Sequence, residues 1–530
     1  VAVVGFAMPP GMALLSAAQG AVYGLFPIMW IVVAAVWLFN LTVAAGRFED
    51  LREVFNRVGK GDLRIQAVLI AFCFGGLLEA LAGFGAPVAI TATILMAIGV
   101  APVRAAMSAL VANTAPVAFG AMAIPITTAG NLTELDPAHL GALIGRQTPF
   151  LAWFVPLLLV WIIDGRRGLR ETWHIAIITG LGFAAAQFLA ANYFSYELTD
   201  VVASLAGLAA AVAALAMVPI RRAAAPPESG GAPRHAAPRT PGGTGADGTG
   251  QGGVTTAPPE TRSRVELTPS RVWLALAPYA IVIAVFGVAK LWKLGVDMPA
   301  ALASTDLKLE WPGLYGNLMT TGGEVAGTAV YTFQWLSSPG TLLLVSGLLV
   351  AVLYSAAHQS QFRLGARATL RTAGATVREL RAPAATVASV LALAYVMNQS
   401  AQTIAIGEAL AAAGGVFALL SPVLGWLGTA VTGSDTSANA LFAKLQQTAA
   451  VHAGLDPNLM VAANTSGGVV GKMISPQNLA IAAAAVRAPG SESALLRKVI
   501  LYSLALLAGL CLLVYLQSTP VLGWTLTIFS

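Results

Sequence analysis

Charge is scarce in this sequence. Only 10% of its 530 residues are Asp, Glu, Lys or Arg, against 57% that are hydrophobic, and the mean hydropathy is +0.75. A soluble domain carries about 25% charged residues. With so few charges the chain cannot cover a water-facing surface, which excludes a string of soluble domains and requires lipid around it. Cysteine is nearly absent too. Cys73 and Cys511 lie far apart inside apolar runs and read as small core residues, which excludes a disulfide framework or a thiolate metal pair. The five histidines, His139, His174, His235, His358 and His452, are scattered without metal-ligand spacing, so no metal is expected, and nothing asks for a cofactor. The net charge of +6 accompanies no nucleic-acid-binding module. No secretory signal is evident. The chain opens on Val1 without a charged leader, and residues 1–8 read as the tail of an earlier helix behind a truncated start.

What the chain does have is apolar length. Runs long enough to span, or nearly so, fall at 22–44, 65–82, 104–128, 147–163, 172–190, 198–219, 271–291, 339–357, 382–398, 416–432, 459–476 and 496–516. The expected fold is an all-α polytopic membrane protein with about twelve transmembrane helices. Two shorter apolar stretches, 84–99 and 435–450, read as re-entrant hairpins. Residues 222–265 are rich in Ala, Pro, Gly, Thr and Arg and read as a disordered linker between membrane halves 1–221 and 266–530. The basic stretches 47–64, 166–170, 221–222 and 363–381 read as loops, and the positive-inside rule puts them in the cytoplasm. Residues 292–338 then fall outside.

One pattern occurs twice. Ala112-Asn113-Thr114 is followed by Gly120, Met122 and Pro125; Ala463-Asn464-Thr465 is followed by Gly471, Met473 and Pro476. The offset is constant, since 463 − 112 and 476 − 125 both equal 351. Each copy follows a glycine-containing turn, at Gly83, Gly85 and Pro87 in the first half and at Gly433-Ser434-Asp435 in the second. Pro116, which lacks an N–H, and Gly467-Gly468, a poor helix interior, read as helix breaks. The charge map orients the copies oppositely. Inverted repeats with discontinuous helices are the sequence signature of secondary transporters, which bind substrate near the midplane where the repeats meet.

Charges inside spans are costly and mark function by default. Glu79, Asp435, Lys472 and Arg146 stand out. Lys472 occupies the place of Ala121 in the first copy, so a symmetric scaffold carries an asymmetric charge. It is a candidate partner for a carboxylate substrate; the alternatives are snorkelling to an interface or a permanent pair with Asp435. Glu79 and Asp435 are candidate proton carriers, because burial favours the neutral form of a carboxyl. Asp435 could instead be a helix N-cap. Asn113, Thr114, Asn464, Thr465 and Ser434 are candidate substrate contacts; the Asn-Thr pairs could equally be hydrogen-bonding glue between helices.

The segments Gly83-Phe84-Gly85-Ala86-Pro87, Asn113-Thr114-Ala115-Pro116, Thr432-Gly433-Ser434-Asp435-Thr436-Ser437 and Gly471-Lys472-Met473-Ile474-Ser475-Pro476 resemble the L-lactate permease family. The resemblance extends through Gly145-Arg146-Gln147 and covers nearly the whole chain outside the linker. It implies uptake of lactate, and of glycolate or a related small 2-hydroxymonocarboxylate anion, together with a proton across the cytoplasmic membrane. Sodium coupling keeps the same fold and is not separated by side-chain content. An intramembrane hydrolase built on Ser434 or Ser475 with Lys472 as base lacks a nucleophile-elbow motif. A passive channel would conduct without gradient coupling.

Overall fold

The computed structural model describes residues 1–59, 62–81, 83, 85–217, 268–291, 296–319, 325–356, 364–488 and 490–527. The expected linker at 222–265 lies outside the described residues, as does Phe84. In the first half the helices are α1 Pro10–Tyr23, α2 Trp30–Ala44, α3 Arg47–Val58, α4 Leu63–Leu81, α5 Ala86–Ala97, α6 Pro102–Ala112, α7 Gly120–Thr133, α8 Pro137–Ala152, α9 Val155–Tyr193 and α10 Thr199–Met217. The second half contains α11 Pro269–Leu291, α12 Pro339–Ala356, α13 Ala366–Glu379, α14 Arg381–Gln399, α15 Gln402–Ala411, α16 Phe417–Thr432, α17 Asp435–Ala453, α18 Pro457–Gly471, α19 Pro476–Ala485 and α20 Glu492–Gln517.

Among the described residues, eight helical stretches are long and apolar enough to cross a membrane, or ten if each of two bent pairs is one span. The expected count of about twelve is not reached. One reason is the stretch Pro137–Tyr193, which counts once although it holds 57 residues. At 1.5 Å per residue it would extend about 85 Å, far beyond a hydrocarbon core of about 30 Å. Breaks divide it after Ala152 and at Gly165, whose φ of +59° suits only glycine.

Other expectations are corrected. The basic stretches 47–64, 166–170 and 363–381 are not plain loops, because α3, the middle of α9 and α13 run through them. Both α3 and α13 are amphipathic, and in α3 the inward-turned Arg47 and Asp50 pair with each other at 3.1 Å, so a short charge-rich stretch still folds. The proposed hairpin at 435–450 is a 19-residue helix, α17. The fold is also not purely helical. Leu307–Glu310 pairs antiparallel with Val330–Phe333, Leu307 opposite Phe333, inside the stretch expected outside the membrane.

Helices from the two halves interlock. α1 packs on α14, α2 on α12, α7 on α17 and α8 on α18. The two repeats have matching parts. In the first, α4 is followed by a turn with Gly83 and Gly85 at positive φ, then α5 and α6, which ends at Asn113. A 3-10 turn, Val117–Phe119, then leads into α7. In the second, α16 is capped by left-handed Gly433, then come α17 and α18, a 3-10 turn Lys472–Ile474, and α19. The α6–α7 pair is bent by 61°.

Candidate functional site

A cavity of ≈ 340 Å³ lies where the two repeats meet. The first repeat contributes Glu79, Gly83, Gly120 and Ala121 to its wall, and the second contributes residues 432–437, Lys472 and Gln477. Ala382, Pro383 and Thr386 of α14 complete it.

Lys472 Nζ donates to Glu79 Oε1 at 2.6 Å, with both side chains buried. Lys472 opens the 3-10 turn after α18, where a cation complements the C-terminal end of the helix dipole. Glu79 rests against Gly120, where a Cβ would sit 2.8 Å from Oε1, so the repeated glycine makes room for the carboxylate. Glu79 Oε2 has no hydrogen-bond partner. Lys472 therefore does not pair with Asp435, the partner considered from sequence.

Asp435 lies in the first turn of α17 and is 3% exposed. It is not the N-cap. Ser434 holds that place and accepts from the Ser437 N–H at 3.3 Å. Asp435 Oδ1 accepts from Thr429 Oγ1 at 3.4 Å, and Oδ2 is unpartnered. The start of α17 thus opens onto the cavity, and a helix N-terminus favours negative charge.

The first repeat carries an unusual turn beside the cavity. Ala121, Met122 and Ala123 have φ of 45°, 58° and 56°. A left-handed non-glycine residue costs roughly 1–2 kcal/mol, so three in a row persist only where packing holds them, and such strain gathers at working sites.

Several candidates lie elsewhere. Asn464 and Thr465 are fully buried inside α18 and both donate to Asn439 Oδ1 at 2.9 Å. Asn464 Oδ1 in turn accepts from Gln446, which also bonds Ser421. This network ties α16, α17 and α18 together, and neither residue lines the cavity, so the glue reading fits them. Gly467 and Gly468 are not helix breaks; both sit inside α18, and the break falls four residues later at Lys472–Ile474. A Cβ at Gly467 would run into the Pro422 carbonyl, and one at Gly468 into the Asp435 carboxylate. These glycines serve close helix approach. Asn113 and Thr114 do not line the cavity; with Lys472, Met473 and Asn478 they line a second, narrower gap that is too tight to admit water. Thr114 Oγ1 donates back to the Val111 carbonyl at 2.6 Å. Pro116 precedes the 3-10 turn, Pro87 occupies the first turn of α5, and Gly85 faces Ile481 and Asn478 of α19. Arg146 bonds Asn192 and the Thr525 carbonyl, away from the cavity.

Sequence reasoning missed Asp200. It is fully buried at the start of α10, neither carboxylate oxygen has a hydrogen-bond partner, and it interacts electrostatically with Glu79 and Lys472. The signal was available, because Asp200 is an acid within the apolar run 198–219, the same criterion that singled out Glu79.

Comparison with known proteins places the chain. The family model for L-lactate permease matches residues 1–521. The L-lactate permease of Bacillus subtilis is 39% identical over 98% of this chain and 89% of its own length. The glycolate permease GlcA of Escherichia coli is 37% identical over 98% of this chain and 89% of its own. Of solved structures, the YdaH transporter of Alcanivorax borkumensis overlays 96% of this chain and 88% of its own with a TM-score of 0.47 and 16% identity, a likeness too loose to transfer detail. With its apolar helices and a family match across almost its full length, this chain is a multi-pass membrane protein that belongs to the L-lactate permease family.

Proposed function

We propose that the chain imports L-lactate, and glycolate or a related small 2-hydroxymonocarboxylate, by proton symport across the cell membrane. The relatives' names supply the substrate class. The observation that carries the mechanism is the buried Lys472–Glu79 pair on the cavity wall.

In the empty site Lys472 and Glu79 neutralise each other. An incoming carboxylate competes for the ammonium, the strongest donor available to it there. Glu79 then loses its counter-charge. A buried carboxylate without a partner is costly, so it takes a proton from the cavity. One negative charge and one proton have entered, and the loaded site carries the same net charge as the empty one. On release, Lys472 returns to Glu79 and expels the proton. Asp435 Oδ2, lacking a partner, is placed to accept from the substrate's 2-hydroxyl, and Ser434 lies beside it. Asp435 is then a substrate ligand and Glu79 the proton carrier.

The test is uptake of labelled L-lactate into sodium-free proteoliposomes under an inward proton gradient, with Lys472→Ala alongside. Accumulation that a protonophore collapses, and that the variant lacks, is the expected result. Accumulation that needs sodium would replace the proton with that ion. Equal accumulation by the variant would move the anion site away from Lys472.

A further inference from the structure

One helix of the second half carries a row of cations without counter-charges. α13 packs on α2, where Thr376 is fully buried and its Oγ1 accepts from Asn40 Nδ2 at 2.9 Å. At helical spacing Thr369, Ala373, Thr376 and Leu380 share that inner face, and none of them is exposed. The outer surface divides into two neighbouring stripes. Leu370 and Val377 lie on one side, two turns apart, and are 74% and 53% exposed. Arg367, Arg371 and Arg378 form the next stripe, about a quarter-turn further round the helix, and all three are exposed.

The helix itself does not account for these arginines. Among the described residues none of the three has an ion-pair partner. Glu379 is the single acid of α13, and it falls half a turn away from the Leu370 stripe. Arg367 lies in the first turn, which has no acid, and a cation there opposes the helix dipole. The charges are therefore carried at a local cost, and something outside the chain has to balance them. An arginine stripe beside an exposed aliphatic stripe suits a membrane boundary, with Leu and Val in the acyl region and guanidinium groups among phosphates. The planar guanidinium fork matches the paired oxygens of a phosphate. The positive-inside rule assigns this stretch to the cytoplasmic leaflet, whose anionic lipids attract basic segments. The contact also has a place in the working part of the molecule. α13 meets α14 at a 48° bend, and just beyond it Ala382, Pro383 and Thr386 of α14 line the cavity.

We propose that α13 is a docking helix for phospholipids of net negative charge, and that the contact steadies the cavity end of α14. Arg367, Arg371 and Arg378 hold the headgroup phosphates, while Leu370 and Val377 enter the acyl region. A zwitterionic lipid presents a phosphate too, but its own cation leaves the three arginines unbalanced.

The test titrates the purified full chain in detergent with phosphatidylglycerol, with phosphatidylcholine of the same acyl chains, and with glycerol phosphate, and reads the melting temperature. The triple variant Arg367→Gln/Arg371→Gln/Arg378→Gln runs alongside. Phosphatidylglycerol should raise the melting temperature of the wild type, and the other two should not. The variant should need at least about fivefold more phosphatidylglycerol for half the effect, the factor one basic residue near an anionic surface contributes. An equal rise with phosphatidylcholine, or an unchanged response in the variant, would overturn the proposal. A rise with glycerol phosphate alone would overturn it in favour of a soluble-anion site. Should the triple variant fail to fold, Val377→Asp decides: a negative charge at this exposed position should weaken the response by a similar factor, and an unchanged response overturns the proposal. Lactate uptake by the wild type in phosphatidylethanolamine vesicles with and without phosphatidylglycerol tests the link to α14; faster uptake with the anionic lipid is expected, and equal rates would overturn that link. The melting experiment does not depend on lactate import, so failure of the symport reading leaves it intact.

Discussion

Lys472 and Glu79 meet at 2.6 Å across 393 positions of sequence, one from each repeat. The contact joins the two repeats at the cavity wall, and in the proposed cycle the substrate anion and Glu79 compete for this one ammonium.

Removing one partner should cost more than removing both. Lys472→Met leaves a buried carboxylate unpaired, which typically destabilises by about 3–5 kcal/mol, whereas replacing a whole buried pair is often close to neutral. The melting temperature of the purified protein should fall clearly for Lys472→Met and recover in the Glu79→Gln/Lys472→Met double variant. Additive losses would mean that the two side chains do not interact.

Cavity residues and network residues should separate in kinetics. Asp435→Asn should raise KM for lactate by roughly tenfold or more, as expected for a lost hydrogen bond to a charged group. Thr465→Val should instead lower stability by about 1 kcal/mol with little change in KM, because its hydroxyl meets Asn439 and not the cavity. Initial uptake rates against lactate concentration, with thermal melts, check both.

Gly467→Ala should destabilise without changing substrate preference. The added methyl has to displace the Pro422 carbonyl of α16, and overpacking of this kind costs about 1–3 kcal/mol. Folded yield and melting temperature should drop, while the lactate-to-glycolate ratio of surviving transport stays fixed. A changed ratio would place Gly467 at the substrate.

Arg64 should be hard to replace. Its side chain is 3% exposed and bonds Asp62 at 2.7 Å, Asp164 at 3.2 Å and Glu171 at 2.6 Å, tying the start of α4 to α9. Arg64→Ala leaves the buried Asp62 without its cation, while Glu171 keeps Arg167 at 3.2 Å, and should cost about 3 kcal/mol. Arg64→Lys keeps the charge but loses the forked geometry, so its melting temperature should fall between wild type and Arg64→Ala.

The sequence by itself determined the solvent and the predominantly helical, multi-pass class, though not the number or bounds of the helices. Apolar length and scarce charge are properties of local stretches, and a membrane reads them directly. Glu79, Asp435 and Lys472 were visible one at a time because a charge in an apolar run is conspicuous wherever it lies. Their relations were not visible. Only the tertiary structure decided that Lys472 meets Glu79 and not Asp435, that Asn464 and Thr465 knit helices together, and that Gly467 and Gly468 allow close approach inside a helix. Each of these depends on which neighbour stands opposite, and neighbours 393 positions apart leave no mark in local periodicity. Asp200, an acid inside the apolar run 198–219, was as legible in the sequence as Glu79. Only packing showed that it is fully buried with no hydrogen-bond partner for either carboxylate oxygen, because burial depends on which helices close over it.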